Sequence, residues 1–252
     1  MRLLLQQVGV AAALVLAWAL GGMFGLVNPN VLPPVLDVAR DMFAVWRRPE
    51  FFPALIGTLG DALAGVVIAT VVAVPLGIVI GMFRPVEVAT RTLLDFGRSF
   101  PVVALLPILV LVIGATHGMK IVSIAIACFF PILLQTIYGA RRLDPTIVDT
   151  VRSFRIPFGL RFFAVILPAA SPYIATGLRI ATAVSILVAV GTEVVVPITG
   201  LGQQATISRN DNQVSLAFVY VIYSGLLGLL LTSLWERAED RLLAWHRRAQ
   251  AA

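Results

Sequence analysis

The stretch Ala140–Pro168 reads ARRLDPTIVDTVRSFRIPFGLRFFAVILP, and its reading decides the fold. It is basic, broken by prolines, and set between two apolar runs of membrane-spanning length. Asp144-Pro145 is a helix start, a capping side chain followed by proline at the first helical position. Ile147, Val151 and Phe154 then recur at i, i+4 and i+7, which gives one apolar face, with Asp149, Arg152 and Ser153 elsewhere. Pro157 stops this helix, because it pushes Ile156 out of helical geometry. A second short helix is expected next, with Phe158, Phe162 and Val165 on one side and Arg161 exposed, closed by Pro168. Ser171-Pro172 then caps the following apolar run. A loop this ordered is a docking element rather than a tether, and one this basic belongs in the cytoplasm.

Composition sets the solvent for the rest. Of 252 residues, 59% are hydrophobic and 13% charged, with a mean hydropathy of +0.96, so most of the chain sits in lipid. A net charge of +6 and a pI near 10.4 would point to nucleic acid in a soluble protein. In a membrane protein, basic loops are what the positive-inside rule produces. Cys128 is the single cysteine and lies in an apolar run, so no disulfide or zinc pattern can form within the chain.

Six spans can be drawn: Val8–Val27, Ala54–Phe83, Val102–Ala115, Ile121–Tyr138, Tyr173–Val196 and Ala217–Trp235. The first begins like a signal peptide but runs on to a full span, and is expected to be retained. Pro75 should kink the second. With the N-terminus inside, thirteen arginines fall in internal segments and five cations (Arg40, Arg47, Arg48, Lys120 and Arg209) in external ones, which puts both termini in the cytoplasm. A short helix over Val35–Trp46 should lie on the outer surface, and the tail Glu236–Arg248 on the inner one. Gly77 and Gly81 permit close helix contact, read as packing within the chain.

The broken loop resembles the cytoplasmic loop of binding-protein-dependent ABC transporter permeases. That signature runs Glu-Ala-Ala, three residues, Gly, then a stretch ending in Leu-Pro. Asp149-Thr150-Val151 falls on the first positions and Leu167-Pro168 on the last. Arg155 stands where the family has glycine, the nearest being Gly159. In order along the chain, Pro101–Pro107, Phe130–Leu134, Asp144-Pro145, Pro172–Arg179 and Gly200-Leu201-Gly202 resemble the sulfonate/nitrate/taurine branch.

The resemblance implies an all-α, six-helix type I importer permease in the cytoplasmic membrane, working as a pair, a homodimer by expectation. Two cytoplasmic ATPase subunits and an extracytoplasmic solute-binding protein complete it. The chain divides into residues 1–53 (first helix and surface helix), 54–235 (permease core) and 236–252 (tail). Loop 140–168, with Asp149, Thr150, Val151, Arg152, Ser153, Phe154, Arg155, Gly159 and Pro168, would be the coupling element. The chain has no GxxxxGK[ST] loop, so no cofactor is expected on it, and ATP and Mg belong to the partner ATPase.

Arg179 and Glu193 lie in the fifth span, 14 residues apart and so on nearly the same side, about 21 Å apart along the axis. Ionisable groups there face a bundle interior or a water-filled path. Either they line the solute path, or Arg179 is tied to Asp95, Asp149 or backbone carbonyls and Glu193 to neighbouring spans. Asp61 is read as interfacial, His117 as a loop residue and His246 as part of the tail, with no metal site among them. A secondary transporter or channel working without an ATPase is the competing class. It would call for inverted repeats or several midplane charges. A membrane enzyme lacks any nucleophile–base or carboxylate-pair constellation.

Overall fold

The computed structural model describes residues 2–25, 28, 31–141 and 153–243, and every regular element among them is helical. In chain order they are α1 (Arg2–Met23), α2 (Val35–Ala44), α3 (Phe51–Met82), α4 (Arg84–Ser99), α5 (Leu106–Ile113) and α6 (His117–Arg141). There follow α7 (Phe158–Arg161), α8 (Leu167–Val195), α9 (Leu201–Asn210) and α10 (Val214–Leu242). Four helical runs are long and apolar enough to cross a membrane: α3, α6, Gly159–Val195 and α10. The segments Arg84–Ser99 and Val102–Ile113, bent by 84°, make a fifth if taken as one broken span. The apolar part of α1, Ala12–Met23, is shorter.

The expected third span is not one straight helix. Pro101 and Pro107 lack N–H donors, and Gly114 turns at φ +83, so residues 102–113 form a 3-10 turn followed by the eight-residue α5.

A ridge of small residues organises the centre. Gly65, Ala69, Ala73, Gly77 and Gly81 recur every four residues on α3. A Cβ would lie 2.5 Å from Ile124 at Gly65, 2.6 Å from Thr136 at Gly77 and 2.7 Å from Ala140 at Gly81. The α3 and α6 backbones therefore touch, as membrane helices lacking a hydrophobic drive do through small residues. The partner positions rise in step with the glycines, so the two helices run parallel, and α4 and α5 carry the chain back between them. Against the other side of α6, α8 runs antiparallel. There Gly139 meets Ala170 and Tyr173, and the Cys128 thiol donates to the Ala181 carbonyl at 3.3 Å.

Pro168 does not close a helix. Phe162–Ile166 form a π turn, in which the Leu167 N–H donates to the Phe162 carbonyl five residues back, and the chain enters α8 without a break. The wider turn accommodates a proline that has no N–H for the usual bond. Pro172 likewise lies inside α8 rather than at its cap. It leaves the Pro168 carbonyl without its helical donor, and the Ser171 hydroxyl supplies one at 2.8 Å. Prolines at 168 and 172 thus both lie within one helical run.

At the His117 end of α6, α2 lies against α10. Tyr223 donates to the Met42 carbonyl at 2.8 Å, Trp46 donates to the Tyr223 hydroxyl, and Phe51 packs edge-on to Tyr223 with centroids 4.9 Å apart. The helix expected over Val35–Trp46 is present as α2 and the turn after it, and its aromatic end is fastened to the bundle.

Candidate functional site

Three polar features stand out on an otherwise apolar bundle. The first is the far side of the basic loop. Asp149, Thr150, Val151 and Arg152 lie outside the described residues. Ser153, Phe154 and Arg155 follow them, all exposed, and Arg155 adopts φ +49. That left-handed conformation is one that glycine takes at no cost and other residues only against steric resistance. The position where the family signature has glycine therefore keeps a glycine-like turn, with arginine held in it. Gly159 follows in α7 with an ordinary helical backbone and open space around it.

The second feature is a buried charge cluster at the His117 end. The Lys120 ammonium, 0% exposed, lies 2.6 Å from Asp61 Oδ2 and 2.8 Å from Glu193 Oε1, and donates to the Thr199 carbonyl at 3.1 Å. Glu193 is also wholly buried. Its two oxygens lie 2.8 and 3.0 Å from Thr58 Oγ1, and Oε2 accepts the Gly202 N–H at 2.8 Å. Thr58 in turn accepts the Leu201 N–H at 2.9 Å. The start of α9 thus points two backbone donors at the cluster, as helix N-termini do toward negative charge. His117 closes the set at 2.6 Å from Asp61, with about half its side chain exposed.

Glycine is required where α9 begins. A Cβ on Gly200 would sit 2.0 Å from Glu193 Cδ, and one on Gly202 would sit 2.4 Å from the Val190 carbonyl. The Gly200-Leu201-Gly202 motif is the collar that lets a loop close over a carboxylate. Lys120 is accordingly not an exposed loop cation, and Asp61 is turned toward it rather than toward solvent. Both are drawn inside because each meets an opposite charge there.

The third feature lies nearer the Arg141 end. Arg179 is paired with Glu239 of α10, through Nη2 at 2.5 Å and Nε at 3.1 Å, and not with the Asp95 expected from sequence. Asp149, the other acid expected there, lies outside the described residues. The Trp235 indole donates to the Ala175 carbonyl one turn earlier. The pair borders an apolar cavity of about 810 Å³ between α3, α8 and α10, whose lining includes Thr70, Pro75, Pro168, Trp235 and Glu239.

Residues 73–243, which take in the loop, the Arg179 pair and the glycine collar, match the binding-protein-dependent transport system inner membrane component family. The chain belongs to that family. It is a membrane permease component of ABC transporters, not itself the ATPase. The permease is similar to the bicarbonate transport system permease protein CmpB of Synechococcus elongatus, 32% identical over 194 residues that cover 77% of this chain and 67% of that protein. It is also similar to the taurine transport system permease protein TauC of Escherichia coli, 24% identical over 249 residues that cover 97% and 90%. Its fold matches a chain from an inward-facing structure of the MetNI methionine ABC transporter. The TM-score is 0.61 at 18% identity, over 76% of this chain and 93% of that one.

For the permease, sequence reasoning singled out the loop, Arg179 and Glu193 but missed the cluster that holds Glu193. One signal was available. Lys120 is the only lysine and begins an apolar run four residues ahead of Ile124, a place where a long cation folds back toward whatever acid is near.

Proposed function

We propose that this permease is the membrane subunit of an ATP-driven importer for a small polar or anionic solute of the sulfonate, nitrate or taurine kind. An extracytoplasmic binding protein would deliver the solute, and two copies of the chain with two ATPase subunits, which hold ATP and Mg, would move it to the cytoplasm. Bicarbonate and taurine, named for the two relatives, are both small charged solutes, which supports the class.

The observation that carries the coupling role is the geometry after the basic loop. Arg155 turns as the signature's glycine would, and from Phe158 the chain is helical through the π turn into α8. A push on the loop would therefore be delivered along α8 to the Glu193 cluster at its far end, a hinge or shear switch of the bundle. Glu193 and Arg179 are read as fastenings at the two ends of that lever rather than as solute ligands, since each already has protein partners. With Lys120 withdrawn into the bundle, and with Arg91 and Arg98 left out because α4 carries them back along α6, four cations oppose eleven, which supports cytoplasmic termini and the Lys120 end outside.

Deleting Asp149–Phe154, or making Arg152→Glu, should leave the permease in the membrane and abolish co-purification of the ATPase. Undiminished ATPase binding would overturn the coupling role.

A further inference from the structure

The helix α4 has no buried residue, although it runs beside a membrane-crossing helix. Glu87 near its start is ion-paired with Arg141 at the end of α6. Ten residues later, Gly97 has its backbone against Phe130, where a Cβ would lie 2.2 Å from the ring. The two contacts are about 16 Å apart along α6 and about 15 Å apart along α4, so α4 runs back along α6 rather than across its end. Leu106, beyond the 84° bend, packs with Met119 and Val196, so the chain has reached the Lys120 end of α6 by that residue.

Along α4, Arg84, Arg91 and Arg98 recur every seven residues on one exposed face, which also carries Glu87 and Asp95. Only Arg98 has an acidic partner within the helix, Asp95 at 3.0 Å. The opposite face is apolar, with Leu93 and Phe96 about two-thirds exposed. Arg98 is level with Phe130, near the middle of the 25-residue α6. A guanidinium stripe at that depth is costly against acyl chains and is stable where it meets water.

We propose that Arg84, Arg91 and Arg98 line a water-filled path through the permease and draw small anions along it, with the Leu93–Phe96 face turned to lipid or protein. This rests on the transport reading above and gives that path a wall and a sign. With Glu87 held by Arg141 and Asp95 by Arg98, Arg84 and Arg91 keep that wall net positive, and such a path between low-dielectric walls concentrates anions over cations.

Thiol labelling of the full chain in liposomes tests it, in a Cys128→Ala background with Arg84→Cys, Arg98→Cys or Phe96→Cys introduced singly. The sulfonate-bearing, membrane-impermeant methanethiosulfonate should modify Arg84→Cys and Arg98→Cys but not Phe96→Cys. A bulky polyethylene-glycol maleimide should reach Arg84→Cys alone. At Arg98→Cys, the rate ratio of the anionic reagent over its trimethylammonium counterpart should fall about tenfold when Arg84 and Arg91 become Gln, and hold when they become Lys. Absence of labelling at Arg98→Cys would overturn the path, because lipid or a second subunit would then cover the stripe. Maleimide labelling at both positions would overturn it in favour of a helix on the bilayer surface, and an unchanged ratio would overturn the anion preference. Labelling needs no ATPase, so its failure is distinguishable from failure of loop docking.

Discussion

Lys120 and Glu193, 73 residues apart in the chain, meet at 2.8 Å with neither side chain exposed. One cation there serves two carboxylates, Asp61 on α3 and Glu193 on α8, and a loop closes over them. The cluster joins the three central helices at one end of the bundle.

Lys120→Met should be the most damaging single change in it, since two acids then remain buried without their cation. A loss of about 3–5 kcal/mol is expected for an uncompensated buried charge. Glu193→Gln should cost less, because Lys120 keeps Asp61. The double variant should cost less than the sum of the singles, read from thermal unfolding of the purified permease. Additive losses would show that the pair is not coupled.

The glycine collar makes a second comparison. Gly200→Ala and Gly202→Ala force a methyl into the Glu193 carboxyl or the Val190 carbonyl and should destabilise by about 1–3 kcal/mol. Gly191, inside α8 with nothing within 4 Å of its added Cβ, is the control. Gly191→Ala should be neutral or stabilise by up to about 1 kcal/mol through helix propensity. Equal effects at all three positions would remove the steric account of the collar.

Arg155→Gly should relieve a left-handed turn at an exposed position, a gain of about 1 kcal/mol partly offset by the freedom glycine adds to the unfolded chain. Arg155→Val, β-branched, should weaken both stability and ATPase co-purification. If valine is tolerated as well as glycine, the turn is not what the loop requires.

The Arg179–Glu239 pair predicts a reciprocal rescue. Arg179 is 40% exposed, so solvent screening limits the coupling to about 0.5–1 kcal/mol in a double-mutant cycle. The exchange Arg179→Glu with Glu239→Arg should restore most of the transport lost in either single variant. Loss of transport in the exchanged pair, with stability intact, would return Arg179 to the solute path.

Length and apolarity made α3, α6, α8 and α10 readable from sequence, and Pro101 marked the break between α4 and α5. What each proline does was not readable. Whether Pro168 ends a helix depends on whether five residues before it can widen into a π turn, and Pro172 needed the Ser171 hydroxyl to stay inside α8. The partners of Lys120 were hidden because they lie 59 and 73 residues away, and that of Arg179 because it lies 60 away, on helices brought close by packing alone. Lys120 at the edge of an apolar run looked external, since a charge there is drawn to water unless a distant carboxylate is folded against it. The amphipathic α4 was passed over as a basic loop because its seven-residue arginine spacing was counted for sign and not for period.

ATP-dependent uptake in liposomes tests the central claim most directly, with the permease reconstituted alone or with its ATPase subunits and binding protein. Radiolabelled taurine and bicarbonate are the first solutes to try. Uptake should require internal ATP and all components, and should vanish when Asp149–Phe154 is deleted. Uptake by the permease alone, driven by an ion gradient and indifferent to that deletion, would contradict the account.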